Sequence, residues 1–281
     1  MSVLSNNLPQ DNIVLTDEEL KSLTNAIQQR HGIDFGCYEP KSLKRRVIRA
    51  MTILKFGSVH ELWIKLLREH SFIYKFMDEI SVGLTAMFRD PVLWRKLRSM
   101  LENEFANKDI KIWHAGCSTG EEVYTMGIVL AESKFRGKVT AKATDISKQS
   151  IETAMNGEYH KMKLDEYEQN LKAYNPTSSL KNYYAEGPVS ITLKQTLIKH
   201  VAFDYHNLIK DPFEDNFDII FCRNVMIYFD NRTKVNLFNQ FHGALKPGGL
   251  LIIGFYDAVL PLIDGSKFRI LDIDAKIFQK V

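Results

Sequence analysis

Five stretches of this chain combine residue types that can do chemistry. The first is Ile110-Lys-Ile-Trp-His-Ala-Gly-Cys-Ser-Thr-Gly120-Glu-Glu. An apolar run enters a loop with glycines at 116 and 120, and a helical stretch follows. Glycine lets a ligand approach the backbone closely, and a helix start offers free N–H groups. The spacing is not that of the G-x-G-x-x-G dinucleotide loop, and Glu121 and Glu122 put negative charge where a pyrophosphate would lie. That points to a cofactor with cationic groups, such as the sulfonium and ammonium of S-adenosylmethionine. The plainer alternative is a glycine turn whose acidic residues stabilise a helix start.

The second is Asp145, at the tip of Ala141-Lys-Ala-Thr-Asp145. A carboxylate there can accept both hydroxyls of a ribose; the alternative is a helix cap, a role for which Ser147 competes. The third is Phe217-Asp-Ile-Ile-Phe-Cys-Arg-Asn224-Val-Met-Ile-Tyr228-Phe-Asp. It reads as a buried strand ending in Arg223-Asn224, where ligands of open α/β sheets gather. Asn224 could hold a cofactor's amino-acid end and Tyr228 could face the reacting group, unless Tyr228 packs with Met226, Ile227 and Phe229. The fourth is Gly83-Leu-Thr85-Ala-Met-Phe-Arg89-Asp90-Pro91. Asp90-Pro91 suits a helix start, with Asp90 as N-cap. Thr85 and Arg89 precede it, and Arg89 could pair with a carboxylate. The fifth is a run of one charge sign. Residues 41–55 contain Lys41, Lys44, Arg45, Arg46, Arg49 and Lys55 and no acidic residue. Leu43, Val47, Ala50, Met51 and Leu54 keep helical spacing, so Lys41, Arg45 and Arg49 are expected on an outer face with Arg46 beside them. An acidic partner surface is favoured. Nucleic acid is not, since no aromatic residues interleave.

The elements that would position these residues change character along the chain. The first third reads as helical. Thr16 and Glu19 form a capping box for a helix ending at His31-Gly32, a second helix covers 41–55, and Ser58 and Ser71 start two more, the last reaching about Val82. After residue 105, apolar runs alternate with helical ones. Strands are expected at 110–114, 139–144, 201–204, 217–222, 250–255, 268–273 and 276–280, and helices near 121–134, 148–155 and 231–244. That alternation implies a mostly parallel sheet, with the last two strands closing an antiparallel hairpin. Residues 157–198 are long for one crossover; Gly187-Pro188 between apolar runs predicts a small antiparallel insertion.

The whole chain sets outer limits. Its 281 residues suit one large domain and a small one, and 45% hydrophobic with 25% charged residues is ordinary for a globular core. No apolar run is long enough to span a bilayer. The polar start MSVLSNNLPQDN reads as a loose tail without a signal-peptide stretch, so a cytoplasmic location is expected. Cys37, Cys117 and Cys222 lack metal-ligand spacing and read as reduced thiols.

Taken together, these motifs resemble the chemotaxis-receptor methyltransferase family of the CheR type. The similarity spans Tyr38–Met51, Thr85–Pro91, Trp113–Tyr124, Ala143–Ile146, Val201–Leu208, Phe217–Asp230 and Leu245–Gly254. It rests above all on Ala115-Gly-Cys-Ser-Thr-Gly-Glu-Glu122 and Phe221-Cys-Arg-Asn-Val-Met-Ile-Tyr-Phe-Asp230. The resemblance implies an α/β class I methyltransferase fold: residues 1–84 a helical docking domain, 85–107 a linker and connecting helix, and 108–281 the S-adenosylmethionine-binding domain. It implies cofactor contacts at Thr85, Arg89, Ala115, Glu121, Asp145, Asn207, Leu208, Asn224 and Val225, with Asn207-Leu208 along the adenine. Arg89 and Tyr228 would orient groups near the methyl, and no metal is needed. The product would be S-adenosylhomocysteine and a glutamate methyl ester on a receptor's cytoplasmic helical bundle, docked through Arg45, Arg46 and Arg49. The protein is expected to be monomeric. Gly83 replaces a polar residue of many members, Met87 an aromatic and Val123 a proline. The insertion carries only Gly187 at its tip, so direct recognition of the bundle is expected rather than grip on a receptor tail peptide. The alternatives are a methyltransferase for RNA or a small molecule, or an adaptor that senses cofactor without catalysis.

Overall fold

A computed structural model describes residues 14–80, 85–257 and 259–281. The chain divides into two compact units, residues 1–82 and 83–281. The tail 1–12, Gly83 and the expected helix end near Val82 lie outside the described residues.

The first unit is helical, with α1 (Asp17–His31), α2 (Pro40–Ile53), α3 (Val59–Arg68) and α4 (Phe72–Ile80). Local chemistry sets the ends. Thr16 and Glu19 form the expected capping box, and Gly32 closes α1 at φ 68°, a conformation that costs glycine little. Ser58 caps α3 through the Glu61 N–H. Leu23, Ile27, Val47, Met51, Leu62 and Phe76 are buried, so each helix turns one apolar stripe inward. Arg46 departs from the expected outer face. It is only 7% exposed and donates to the Ile80 carbonyl at 2.9 Å and to Ser42 Oγ. It therefore satisfies the carboxyl end of α4, where a cation meets the negative pole of the helix, and it does not belong to a docking face.

The second unit opens with α5 (Pro91–Asn103). Then follow β1 (Ile110–Ala115), α6 (Glu121–Glu132), β2 (Val139–Asp145), α7 (Lys148–Asn156), β3 (Glu158–His160), α8 (Leu164–Tyr174), β4 (Tyr184–Glu186), β5 (Ser190–Leu193), β6 (Val201–Tyr205), β7 (Phe217–Cys222), α9 (Asn231–Ala244), β8 (Leu245–Ile253), β9 (Phe268–Asp272) and β10 (Ile277–Lys280). The main sheet runs β6-β2-β1-β7-β8-β10-β9. Pairing is parallel from β6 to β8, and β10 runs antiparallel to both neighbours, as the hairpin reading requires. Central strands β1 and β7 are buried on both faces, the pattern of a sheet covered by helices on both sides. Strand order reverses between β1 and β7, which opens a crevice at their carboxyl ends.

The insertion is a three-stranded antiparallel sheet, β3-β5-β4, together with a helix, α8, that the β reading of this stretch omits. Among the described residues no helix is long and apolar enough to cross a membrane.

Candidate functional site

The crevice is built from loops that leave β1, β2, β6, β7 and β8. The β1 loop turns sharply. Gly116, Ser118 and Gly120 all have positive φ, at 85°, 48° and 93°. A Cβ on Gly116 would lie 2.4 Å from a methyl of Val225, so only glycine lets the β1 and β7 loops touch. The Thr144 carbonyl accepts from the Gly116 and Cys117 N–H groups at 2.8 and 2.9 Å, fastening the loop to the end of β2. Gly120 caps α6 without a side chain, which leaves the first turn of the helix for other partners.

Asp145 is a loop anchor as well as a strand tip. Its carboxylate accepts the Ser118 N–H at 2.8 Å and the Ser147 N–H at 2.9 Å. Ser147, not Asp145, caps α7. A half-exposed carboxylate at a strand tip can accept hydroxyl donors. The Asp145 carbonyl accepts from His206 N–H at 3.0 Å, which brings Asn207 and the buried Leu208 alongside. Asn207 turns its own chain by accepting the Ile209 N–H, while its backbone donates to Asp211.

Glu121 and Glu122 differ from the sequence reading. Glu121 is fully buried. Tyr167 Oη at 2.8 Å, Lys163 Nζ at 2.9 Å and Thr119 Oγ1 at 2.6 Å all bond its carboxylate. Glu122 bonds His114 Nδ1 at 2.8 Å and Arg223 at 3.0 Å. Burial pushes the Glu122 carboxyl up, but His114 and Arg223 outweigh it and hold the pKa below the ordinary value. The two acidic charges are thus compensated within the protein, and they do not by themselves select a cation. What fits a ribose-bearing ligand is the half-exposed carboxylate of Asp145 at the tip of β2, set against the β1 loop.

Asp90 stands at the N-cap position before Pro91, as expected, but it has φ 58° and its side chain makes no capping bond to α5. Its carboxylate accepts from Arg223 at 2.7 Å instead. Arg223 further donates to the Arg89 carbonyl at 3.0 Å, which Trp94 Nε1 shares at 2.9 Å. One buried guanidinium therefore ties the 85–90 segment to Glu122 and to the end of β7. The same segment is held from the other side by α8: Asn170 donates to the Met87 carbonyl, and Tyr174 stacks on Phe88 at 4.9 Å. Phe88 has φ 52°, a conformation of measurable cost for an aromatic residue.

On the β7 side, Asn224 has φ 59° and packs so closely on Gly254 that a Cβ there would lie 2.5 Å from its nitrogen. Buried Asp257 accepts N–H groups from Asn224, Ile227 and Gly254 at 2.8, 3.1 and 2.7 Å. Burial nevertheless pushes its pKa up to about 6. Tyr228 ends the short 3-10 turn Met226–Tyr228 and is half-buried.

The structure thus gathers Arg89, Ala115, Glu121, Asp145, Asn207, Leu208, Asn224 and Val225 around the carboxyl ends of β1, β2, β6 and β7. Thr85 is half-buried in the segment that leads to Arg89. Arg45 and Arg49 belong to the helical unit and are exposed there. Arg223, Asp257, Tyr167 and Asn170 went unassigned in the sequence. Only Arg223, polar at the end of an apolar strand, and Asp257, just past the end of β8, carried a local signal. A separate cavity of about 920 Å³ lies where β2 and β6 begin, lined by Leu130, Phe135, Leu197 and His200, away from the end of the sheet where these loops meet.

The model of the CheR methyltransferase SAM-binding domain matches residues 83–276 and that of the CheR all-alpha domain matches residues 18–81. A chemotaxis protein methyltransferase of Borreliella burgdorferi is 32% identical, with 88% of this chain and 90% of that protein covered. One of Salmonella typhimurium is 30% identical, with 92% and 89% covered. One of Vibrio parahaemolyticus is 27% identical, with 96% and 98% covered.

Proposed function

The chain belongs to the CheR methyltransferase family and is an S-adenosylmethionine-dependent methyltransferase, and on that premise we propose that it methylates glutamate side chains on the cytoplasmic helical bundle of chemotaxis receptors. The observation that carries the choice of an acidic substrate is the face of α2. Lys41, Arg45 and Arg49 follow one another at intervals of four and are exposed. Lys44, on another side, pairs with Asp17 at 2.7 Å. The protein acts as a monomer in the cytoplasm and docks on the bundle directly, since the β4–β5 tip has only Gly187 to accommodate a tail peptide.

The cosubstrate supplies a methyl group on a sulfonium. Asp145 receives the ribose hydroxyls, Asn207 and Leu208 flank the adenine, and Thr85, Ala115, Glu121, Val225 and Asn224 complete the pocket. Arg89 pairs with the methionine carboxylate and, with Tyr228, orients groups near the methyl. A glutamate carboxylate with an unperturbed pKa of about 4.3 is ionised near neutral pH, so no residue has to remove a proton. One carboxylate oxygen bonds the methyl carbon as the carbon–sulfur bond breaks, and the electron pair stays on sulfur. The protein contributes mainly by holding the two reactants in line. Donors that bind the carboxylate strongly in the ground state would slow the step.

Incubation with methyl-labelled cosubstrate and receptor membranes tests this. The label should transfer to receptor and leave as methanol in base. Base-stable label, or label only on RNA or a small molecule, would overturn the reading. Asp145→Ala should abolish binding of S-adenosylhomocysteine in calorimetry, and normal affinity would remove Asp145 from the pocket.

A further inference from the structure

We propose that Phe255 and Tyr256, with Lys276 beside them, form the surface that receives the acceptor segment of the protein substrate, a stretch pairing acidic with apolar side chains; the inference rests on the function proposed above. Sheet order places this surface. The adenosine-side contacts come from β1, β2 and β6, and Asn224 follows β7. The next strand outward is β8, whose end carries the aromatic pair. It therefore lies on the acceptor side of the crevice.

Both rings are presented to solvent, Phe255 58% and Tyr256 66% exposed, and they meet edge to face at 5.3 Å. Their backbone is nonetheless firmly held. Asp257, next in the chain and fully buried, accepts the Gly254 N–H and also anchors the Asn224 and Ile227 N–H groups. A single carboxylate thus fixes the aromatic pair relative to the turn that ends at Tyr228. Lys276 joins from the β9–β10 turn: its carbonyl accepts the Ile253 N–H at 3.2 Å, and its Nζ lies 5.3 Å from the Phe255 ring centre. Ile273 of the same turn is 44% exposed.

Large aromatics left in water on a fixed backbone, rather than folded into the core, are the composition of a protein contact. A free small carboxylate would not use so much apolar surface. The lysine supplies charge complementary to an acidic segment.

Steady-state methylation of receptor membranes by Phe255→Ser/Tyr256→Ser tests the surface. The receptor KM should rise about tenfold or more, while the Kd for S-adenosylhomocysteine stays at the wild-type value. The Phe255→Tyr/Tyr256→Phe pair should restore KM. A wild-type KM in the serine variant, or a parallel loss of S-adenosylhomocysteine affinity, overturns the proposal. Failure of the wild-type enzyme to methylate receptor overturns the functional reading and this surface with it. An unchanged KM in an active enzyme overturns the surface alone.

Discussion

Arg223 is where three segments of the crevice meet, because its guanidinium serves Glu122, Asp90 and the Arg89 carbonyl at once. A buried ion pair is expensive to break from one side, since the remaining charge stays desolvated. Arg223→Met should therefore lower unfolding stability by about 3–5 kcal/mol, read by urea denaturation. Adding Glu122→Gln should recover part of the loss; an additive second loss would mean the two do not couple. Glu122 also sets an acid limit. Its folded pKa lies below the ordinary value, so its contribution is present above the unfolded pKa and disappears as pH falls through the folded one. Asp257 has the opposite sign. With a folded pKa pushed up to about 6, it binds more protons folded than unfolded, and its ionisation removes stability as pH rises from about 4 through 6. Yet its three N–H partners are best served by the ionised form. Affinity for S-adenosylhomocysteine should therefore weaken below about pH 6, whereas Asp257→Asn should bind weakly and without that pH step. An identical step in the variant would assign the titration elsewhere.

At the scale of elements, α8 shows what periodicity could and could not reveal. Strands β1, β2 and β7 and helices α6 and α9 were legible because a parallel sheet demands unbroken apolar runs between helices. The sequence of α8, LDEYEQNLKAY, is mostly polar. Beside the Gly187-Pro188 turn, its stretch reads as part of a β insertion. Its helical face becomes evident only through its partners: Tyr167, Asn170 and Tyr174 recur at helical spacing and meet Glu121, Met87 and Phe88. The same limit hides the partners of the two glutamates, since no local pattern announces that Lys163 and Arg223 will meet them. If α8 is a wall of the pocket, Tyr167→Phe should act beyond simple stability. Loss of a hydroxyl from the buried Glu121 carboxylate costs about 1–3 kcal/mol and leaves the β1 loop less fixed. The melting temperature should fall, and the Kd for S-adenosylhomocysteine should rise. A lower melting temperature with unchanged Kd would confine α8 to a structural role.

At the scale of the whole molecule, the chain divides its work between a unit that holds the cosubstrate and one that presents charge. Composition hides this division, because a net charge of +3 is too small to suggest an electrostatic docking surface. Only the local run on α2 does so, and the fold then sorts that run by burial. Lys41, Arg45 and Arg49 are exposed, Lys44 is paired with Asp17, and Arg46 is an internal strut. The sorting makes the arginines distinguishable by experiment. Arg45→Glu/Arg49→Glu should leave the fold and the Kd for S-adenosylhomocysteine intact and raise the receptor KM about tenfold or more at low salt. Raising ionic strength should erode the wild-type advantage, since the screening length shrinks to about 8 Å at physiological salt and about 3 Å at 1 M. Arg46→Glu should behave differently. It replaces the donor to the Ile80 carbonyl with a buried carboxylate, so the helical unit should lose stability by several kcal/mol, visible as an early thermal transition at every salt concentration. If the exposed pair proved salt-insensitive, or if Arg46→Glu folded normally, the division of α2 into a docking face and a packed face would be wrong.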